Sequence, residues 1–219
     1  MRAIFLLELH THGGYSGHMW KLVLIIFSAI AHPVIYQDGW VYQGSFMPQM
    51  NEMRVGYSLT SRIALVANGA YYQNLDEYQD YTVGANFLLK RWLAKDSQAN
   101  IYAGAHVGHF EQMNNDGTAG HLFLQSDWEN QDHYVLAKVK GVFYEDEEVY
   151  DTLFRYGFSP YVAGMEEIQT WLIFQAQYLK EQSRSAIITP MLRFFYRNVL
   201  WEVGYSTRGQ SFLTLMVHY

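Results

Sequence analysis

The sequence predicts an all-β chain: a transmembrane, antiparallel, up-and-down β-barrel of about twelve strands, following an amino-terminal export segment. Three observations carry the prediction. From Gly39 onward the chain falls into segments of about nine to twelve residues with period-two alternation, the length of a tilted strand in a bilayer. Aromatic residues make up 17% of the 219 residues, with 18 tyrosines, while only 4 prolines occur. Mean hydropathy is nevertheless slightly negative, which excludes a bundle of apolar membrane helices. A strand in lipid needs apolar side chains only at alternate positions, and Tyr and Trp are favoured where strands cross the two interfaces. A soluble sandwich would explain the alternation but would not require so many aromatic strand ends.

The first element is the continuously apolar stretch Leu22 to Phe27, continued by Ser28-Ala29-Ile30-Ala31. At roughly ten residues it is too short for a membrane-spanning helix, which takes about 20. Lys21 precedes it, and Ala29 and Ala31 close it with A-x-A spacing, the layout of a secretory signal peptide cleaved after Ala31. Charge, apolar run and cleavage site all begin at Met19. Residues 1–18 therefore read as an upstream start assigned in error, and the barrel domain is expected to be 32–219, opening His32-Pro33.

The expected strands are 39–47, 51–59, 62–72, 81–91, 99–110, 119–131, 133–145, 150–158, 168–179, 185–197, 199–207 and 211–219. Ten is the alternative count, because the first segment contains Gly44 and ends at Pro48. An even number leaves both ends on one side, as bacterial barrels require. The turns at Thr60-Ser61, Asn130–Asp132 and Arg197-Asn198 are then short and periplasmic. The polar links 73–80, 111–118, 145–150 and 180–184 face outward. The links 92–98 and 159–167 fit less well, as long turns on the short-turn side.

In the last strand Leu213, Leu215, Val217 and Tyr219 share one face, opposite Thr214, Met216 and His218. This strand resembles the carboxyl-terminal signature of Gram-negative outer-membrane barrel proteins, a terminal aromatic with apolar residues at every second position before it. The resemblance implies an outer-membrane location among lipid and lipopolysaccharide, with Leu213, Leu215, Val217 and Tyr219 as the signal read by the barrel-assembly machinery. A closed single-chain barrel is expected to be monomeric.

A charge costs several kcal/mol on the lipid face near the midplane, so charged residues of the strands are assigned to the interior. Alternation places Arg54, Lys90, Asp127, Glu129, Lys138, Lys140, Arg155, Arg193, Arg197 and Glu202 there, with Asn86 and Gln175. Both signs occur together, and buried charges need partners. A narrow, largely blocked lumen follows. The competing expectation is a narrow channel in which Lys138, Lys140, Arg193 and Arg197 favour anions.

Other chemistries are bounded by composition. Without cysteine the chain has no disulfide, thiolate nucleophile or cysteine-ligated metal, and a net charge of −6 argues against nucleic acid as a partner. The barrel needs no cofactor, but Met47, Met50 and Met53 form M-x-x-M-x-x-M, and thioethers are soft ligands that select copper(I). His32 would add an amine and an imidazole after cleavage, and His109 and His121 flank the 111–118 link, so a copper-type site is an alternative. A lipid-modifying barrel hydrolase is another. It would require a serine such as Ser45, Ser58, Ser126 or Ser211 beside a histidine such as His106, His109, His121, His133 or His218. No short motif joins such a pair. Asp127 and Glu129 could act as an acid/base pair, although balancing interior cations is the simpler role. The functional expectation is a structural or binding barrel, or a narrow pore, of the envelope.

Overall fold

The computed structural model describes residues 32–219 apart from residues 74, 76, 114, 146, 165 and 181–184. The expected export segment and its cleavage point lie outside the described residues. Twelve strands follow: β1 (Trp40–Phe46), β2 (Met50–Ser58), β3 (Ile63–Tyr72), β4 (Gln79–Leu93), β5 (Ser97–Gln112), β6 (Asn115–Asn130), β7 (His133–Tyr144), β8 (Glu147–Phe158), β9 (Gln169–Leu179), β10 (Ile187–Tyr196), β11 (Val199–Tyr205) and β12 (Ser211–His218). Each pairs antiparallel with its sequence neighbours, and β1 pairs with β12 to close the barrel. Twelve is therefore the count, not ten. Gly44 lies within β1, opposite Leu215 of β12 and Met53 of β2.

The seam is made where the terminal signature lies. Tyr42 faces Val217, Gly44 faces Leu215 and Phe46 faces Leu213 across it. Beyond the ladder, the amides of Trp40 and Tyr219 each donate to the other's carbonyl, at 2.8 and 2.7 Å. Closure removes the edge strands that an open sheet would leave unpaired.

Links at the end of the barrel that carries Tyr219 are short: 59–62, 94–96, 131–132 and 197–198, with 159–168 the long exception. The long turn expected at 92–98 contracts because β4 and β5 pair as far as Leu93 and Gln98. At the far end β5 and β6 pair to Gln112 and Asn115, and β7 and β8 to Tyr144 and Glu147, so these hairpins reach beyond the expected strands.

Alternation sorts the surface. Every strand exposes an apolar side chain outward, among them Val55, Leu65, Val83, Val107, Val139, Phe154, Phe174 and Leu215. Aromatic residues border this band. Trp40, Tyr57, Trp92, Trp128, Tyr156 and Tyr219 lie toward the Tyr219 end, and Tyr71, Tyr81, Tyr178 and Tyr205 lie toward the far end. An outward apolar side chain on every strand, bordered by aromatics, matches the lipid-facing band of a membrane barrel.

Candidate functional site in the barrel interior

The interior is built from the second face of the same strands. Arg54, Asp127, Glu129, Lys138, Lys140, Arg155, Arg193 and Glu202 all point inward, as alternation requires. Two expected members do not. The β4–β5 register shifts between Leu88 and Lys90, so the extra residue Leu89 reverses the parity of the rest of β4. Lys90 consequently faces outward, with its ammonium 5.8 Å from the centroid of the Trp92 ring. Arg91 takes the interior position, donating from Nε to Asn100 Oδ1 at 2.7 Å. Arg197 lies in the β10–β11 turn at φ 55°, outside the ladder, and its guanidinium donates to Glu166 at the surface. That hydrogen bond and the carboxylate charge hold the Arg197 guanidinium above its ordinary pKa.

The inward charges form networks across the lumen. Glu202 accepts from Arg193 Nε at 2.7 Å and from Arg155 Nη1 at 3.2 Å. Arg193 also lies 4.7 Å from the centre of the Tyr134 ring, and Arg155 Nε donates to Gln175 at 2.7 Å. On β2 Arg54 donates to Glu52 at 3.1 Å, and Lys140 on β7 reaches across to donate to the Tyr72 hydroxyl of β3 at 3.2 Å. Asp151 accepts from Gln177 at 3.0 Å. Lys138 stands 5.1 Å from the Phe123 ring centre. The anion column of Lys138, Lys140, Arg193 and Arg197 is therefore not assembled, since Arg193 is bound to Glu202 and Arg197 is outside.

Glycines on β4 and β5 create room for large interior side chains. A Cβ at Gly104 would strike the Phe123 ring and Asn86 Oδ1, and it is this gap that lets both lie against the wall. His106 Nε2 and Asn86 Oδ1 are 2.9 Å apart, as are His121 Nε2 and Asp80 Oδ2.

The candidate ligand sets for other chemistries are dispersed. Met47 and Met50 are buried in the interior cluster, whereas Met53 is outward and 73% exposed, so the three thioethers do not face one point. Their spacing of three places Met50 and Met53 on opposite faces of an alternating strand. His109 is outward, near Glu111 and Asp116, while His121 is inward. His32 lies at the other end of the barrel. No group of His, Asp and Glu suited to a metal ion occurs among the described residues. The histidines considered as bases have other neighbours: Asn86 for His106, Asp80 for His121, Tyr156 for His133 and Met216 for His218. Asp127 accepts from Asn100 at 2.7 Å and is 3.7 Å from His32, with Glu129 3.8 Å from the same ring.

Two clusters of side chains narrow the interior. At the far end Tyr78 folds in from the β3–β4 link, with ring centroids 4.5 Å from Tyr144, 5.4 Å from Tyr72 and 5.7 Å from Phe110. The cluster around it draws on opposite walls, including Met50, Leu179, Met191 and Phe212. At the Tyr219 end residues 32–39 turn back into the mouth. Val34 packs on Ala64, Leu88 and Tyr102, and Ile35 packs on Val41, Phe195, Leu200 and Met216. Sequence reasoning missed this segment, and also the inward Glu52, Asp80, Arg91 and Asp151. Glu52 and Asp151 share strand parity with Arg54 and Arg155, a signal present in the sequence. Arg91 depends on the bulge, and the return of His32–Ile35 has no local signature.

No protein-family model matches the chain, and comparison with characterised proteins finds no match. Among solved structures, a KdgM porin superposes with a TM-score of 0.49 at 12% identity, covering 83% of this chain and 98% of that one. The same values hold for a KdgM porin in complex with disordered oligogalacturonate. A third chain, from work on in-meso crystallization of membrane proteins, gives 0.44 at 10% identity, covering 83% of this chain and 82% of the other.

Proposed function

We propose that the chain is an outer-membrane β-barrel of a Gram-negative bacterium, sealed along its axis at rest and serving the envelope as a structural or binding barrel. The observation that carries this reading is the pair of constrictions in series. Tyr78 and its aromatic neighbours fill one end, and His32–Ile35 fill the other. The outward apolar belt and its two aromatic borders support membrane embedding. In this setting the Tyr219 end faces the periplasm, and Leu213, Leu215, Val217 and Tyr219 are available to the assembly machinery before the seam closes.

Fractionation of cells producing the full chain tests the reading. The chain is expected with the outer membrane, resistant to alkaline or urea extraction, and shifted in gel mobility by boiling as folded barrels are. Recovery as a detergent-free soluble periplasmic protein would refute it.

A second reading, a narrow pore that opens on displacement of a constriction, has one specific support. Between the constrictions the Arg54 and Arg155 side chains keep 17% and 11% of their accessible surface while their partners Glu52 and Glu202 are almost fully buried. Such a polar interior stretch would hold water, and it would conduct only if both ends opened.

A further inference from the structure

We propose that the periplasmic mouth is a binding site for the chain's own amino-terminal segment, built to receive an imidazole at position 32 and an apolar residue at position 34. This inference rests on the barrel reading above.

Each residue of the segment meets a different, complementary feature of the wall. The His32 imidazole is 2.9 Å from the Tyr102 hydroxyl and 3.4 Å from Gln98 Nε2. Its two nitrogens lie 3.7 Å from Asp127 and 3.8 Å from Glu129, carboxylates that are themselves almost completely buried. Buried acids need polar partners: Asn100 donates to Asp127 and accepts from Arg91, and the His32 ring lies against both carboxylates. The Pro33 carbonyl accepts from Asn86 Nδ2 at 3.0 Å. Val34 is 1% exposed in its apolar pocket, and the Ile35 amide donates to Ser58 Oγ at 3.1 Å. Backbone bonds from Asp38 to Ser58 and from Ser58 to Gly39 then fix the chain where it enters β1.

Specific side-chain and backbone recognition at consecutive residues distinguishes a bound ligand from a terminus that merely covers the opening. Asp127 and Glu129 on β6 are the polar anchor, and Ala64 and Leu88 on β3 and β4 the apolar one. Docking sets His32 and Val34 against β3–β6 and Ile35 against β1 and β10–β12, so the segment spans the mouth as a plug carried in cis.

The chain has no cysteine, so a single introduced thiol reports on the plug without background. Full-length protein carrying Val34→Cys is recovered in its folded, heat-modifiable form and treated with a membrane-impermeant maleimide. Thr60→Cys, in an exposed turn, serves as the open control. Protection of a docked site predicts labelling at position 34 about tenfold or more slower than at position 60. Adding Asp127→Asn and Glu129→Gln is expected to bring the rate at Val34→Cys up to that of the control. If that pair prevents folding, His32→Gln serves in its place. It keeps a polar side chain facing Tyr102, removes the imidazole ring, and is expected to accelerate labelling.

Equal rates at positions 34 and 60 in the otherwise unaltered barrel would overturn the docking. Unchanged protection after loss of the carboxylates, or of the His32 ring in the substitute variant, would overturn the recognition of position 32. Heat modifiability is read on the same samples, so failure of the barrel itself is seen separately from failure of the plug.

Discussion

Arg193 and Glu202 face each other across the β10–β11 ladder, with Nε 2.7 Å from Oε1 and 0% and 2% of their side chains exposed. Arg155 reaches the same carboxylate from β8. Glu202→Leu would leave two guanidiniums without their shared anion. A cost of about 3–5 kcal/mol is expected from breaking a buried pair on one side. Urea unfolding in lipid vesicles, followed by tryptophan fluorescence, measures it. Replacing all three groups together, with Arg155→Met, Arg193→Met and Glu202→Leu, should recover most of that loss, because no charge then remains unpaired. A triple variant as unstable as Glu202→Leu alone would show that the network is not the source of the effect.

Val139 and Lys138 are adjacent on β7 and face opposite environments, Val139 outward and Lys138 inward. Val139→Arg is expected to destabilise the barrel in lipid by about 2–4 kcal/mol, the cost of an arginine near the bilayer midplane. Val139→Leu should be close to neutral. The same unfolding assay applies, and a neutral arginine at 139 would place this surface in water.

The bulge at Leu89 predicts unequal roles for two neighbouring cations. Arg91→Leu removes the bond to Asn100 and should cost about 1.5–3 kcal/mol, the range for hydrogen bonds to a charged group. Lys90→Leu removes only an outward ammonium and should stay within about 0.5 kcal/mol. The reverse order would mean that the parity of β4 runs unbroken to its end.

These pairs also mark how far the amino-acid pattern reaches. Period two sets the strands and most of the interior, because one face must be apolar in lipid and charges must avoid it. Arg54, Asp127, Lys138, Arg155 and Glu202 were legible for that reason. Lys90 was misassigned because one inserted residue reverses parity without changing composition. Arg197 was misassigned because the strand ends at Tyr196, where the turn begins, a boundary that alternation alone does not mark. The plug was invisible, since His32-Pro33-Val34-Ile35 has no pattern of its own. Its place is determined by Tyr102, Asn86, Asp127 and Ser58, all distant in sequence. M-x-x-M-x-x-M suggested convergent sulfurs, yet on a strand a spacing of three puts neighbouring methionines on opposite faces.

Two closures in series predict that neither opens the barrel alone. Tyr78→Ala removes the ring that packs on Tyr72, Phe110 and Tyr144, and Val34→Asp places a charge in the apolar pocket of the plug. Each single variant is expected to remain non-conducting in planar bilayers, and the double variant to show unitary steps. Conduction by Tyr78→Ala alone would show that residues 32–39 do not seal the mouth.

The proposed barrel lies in lipid with its lumen closed. Purified, heat-modifiable, unsubstituted protein inserted into a planar lipid bilayer tests it most directly. Insertion without sustained unitary conductance at either polarity is expected. Steady ohmic steps from the unsubstituted barrel would contradict it.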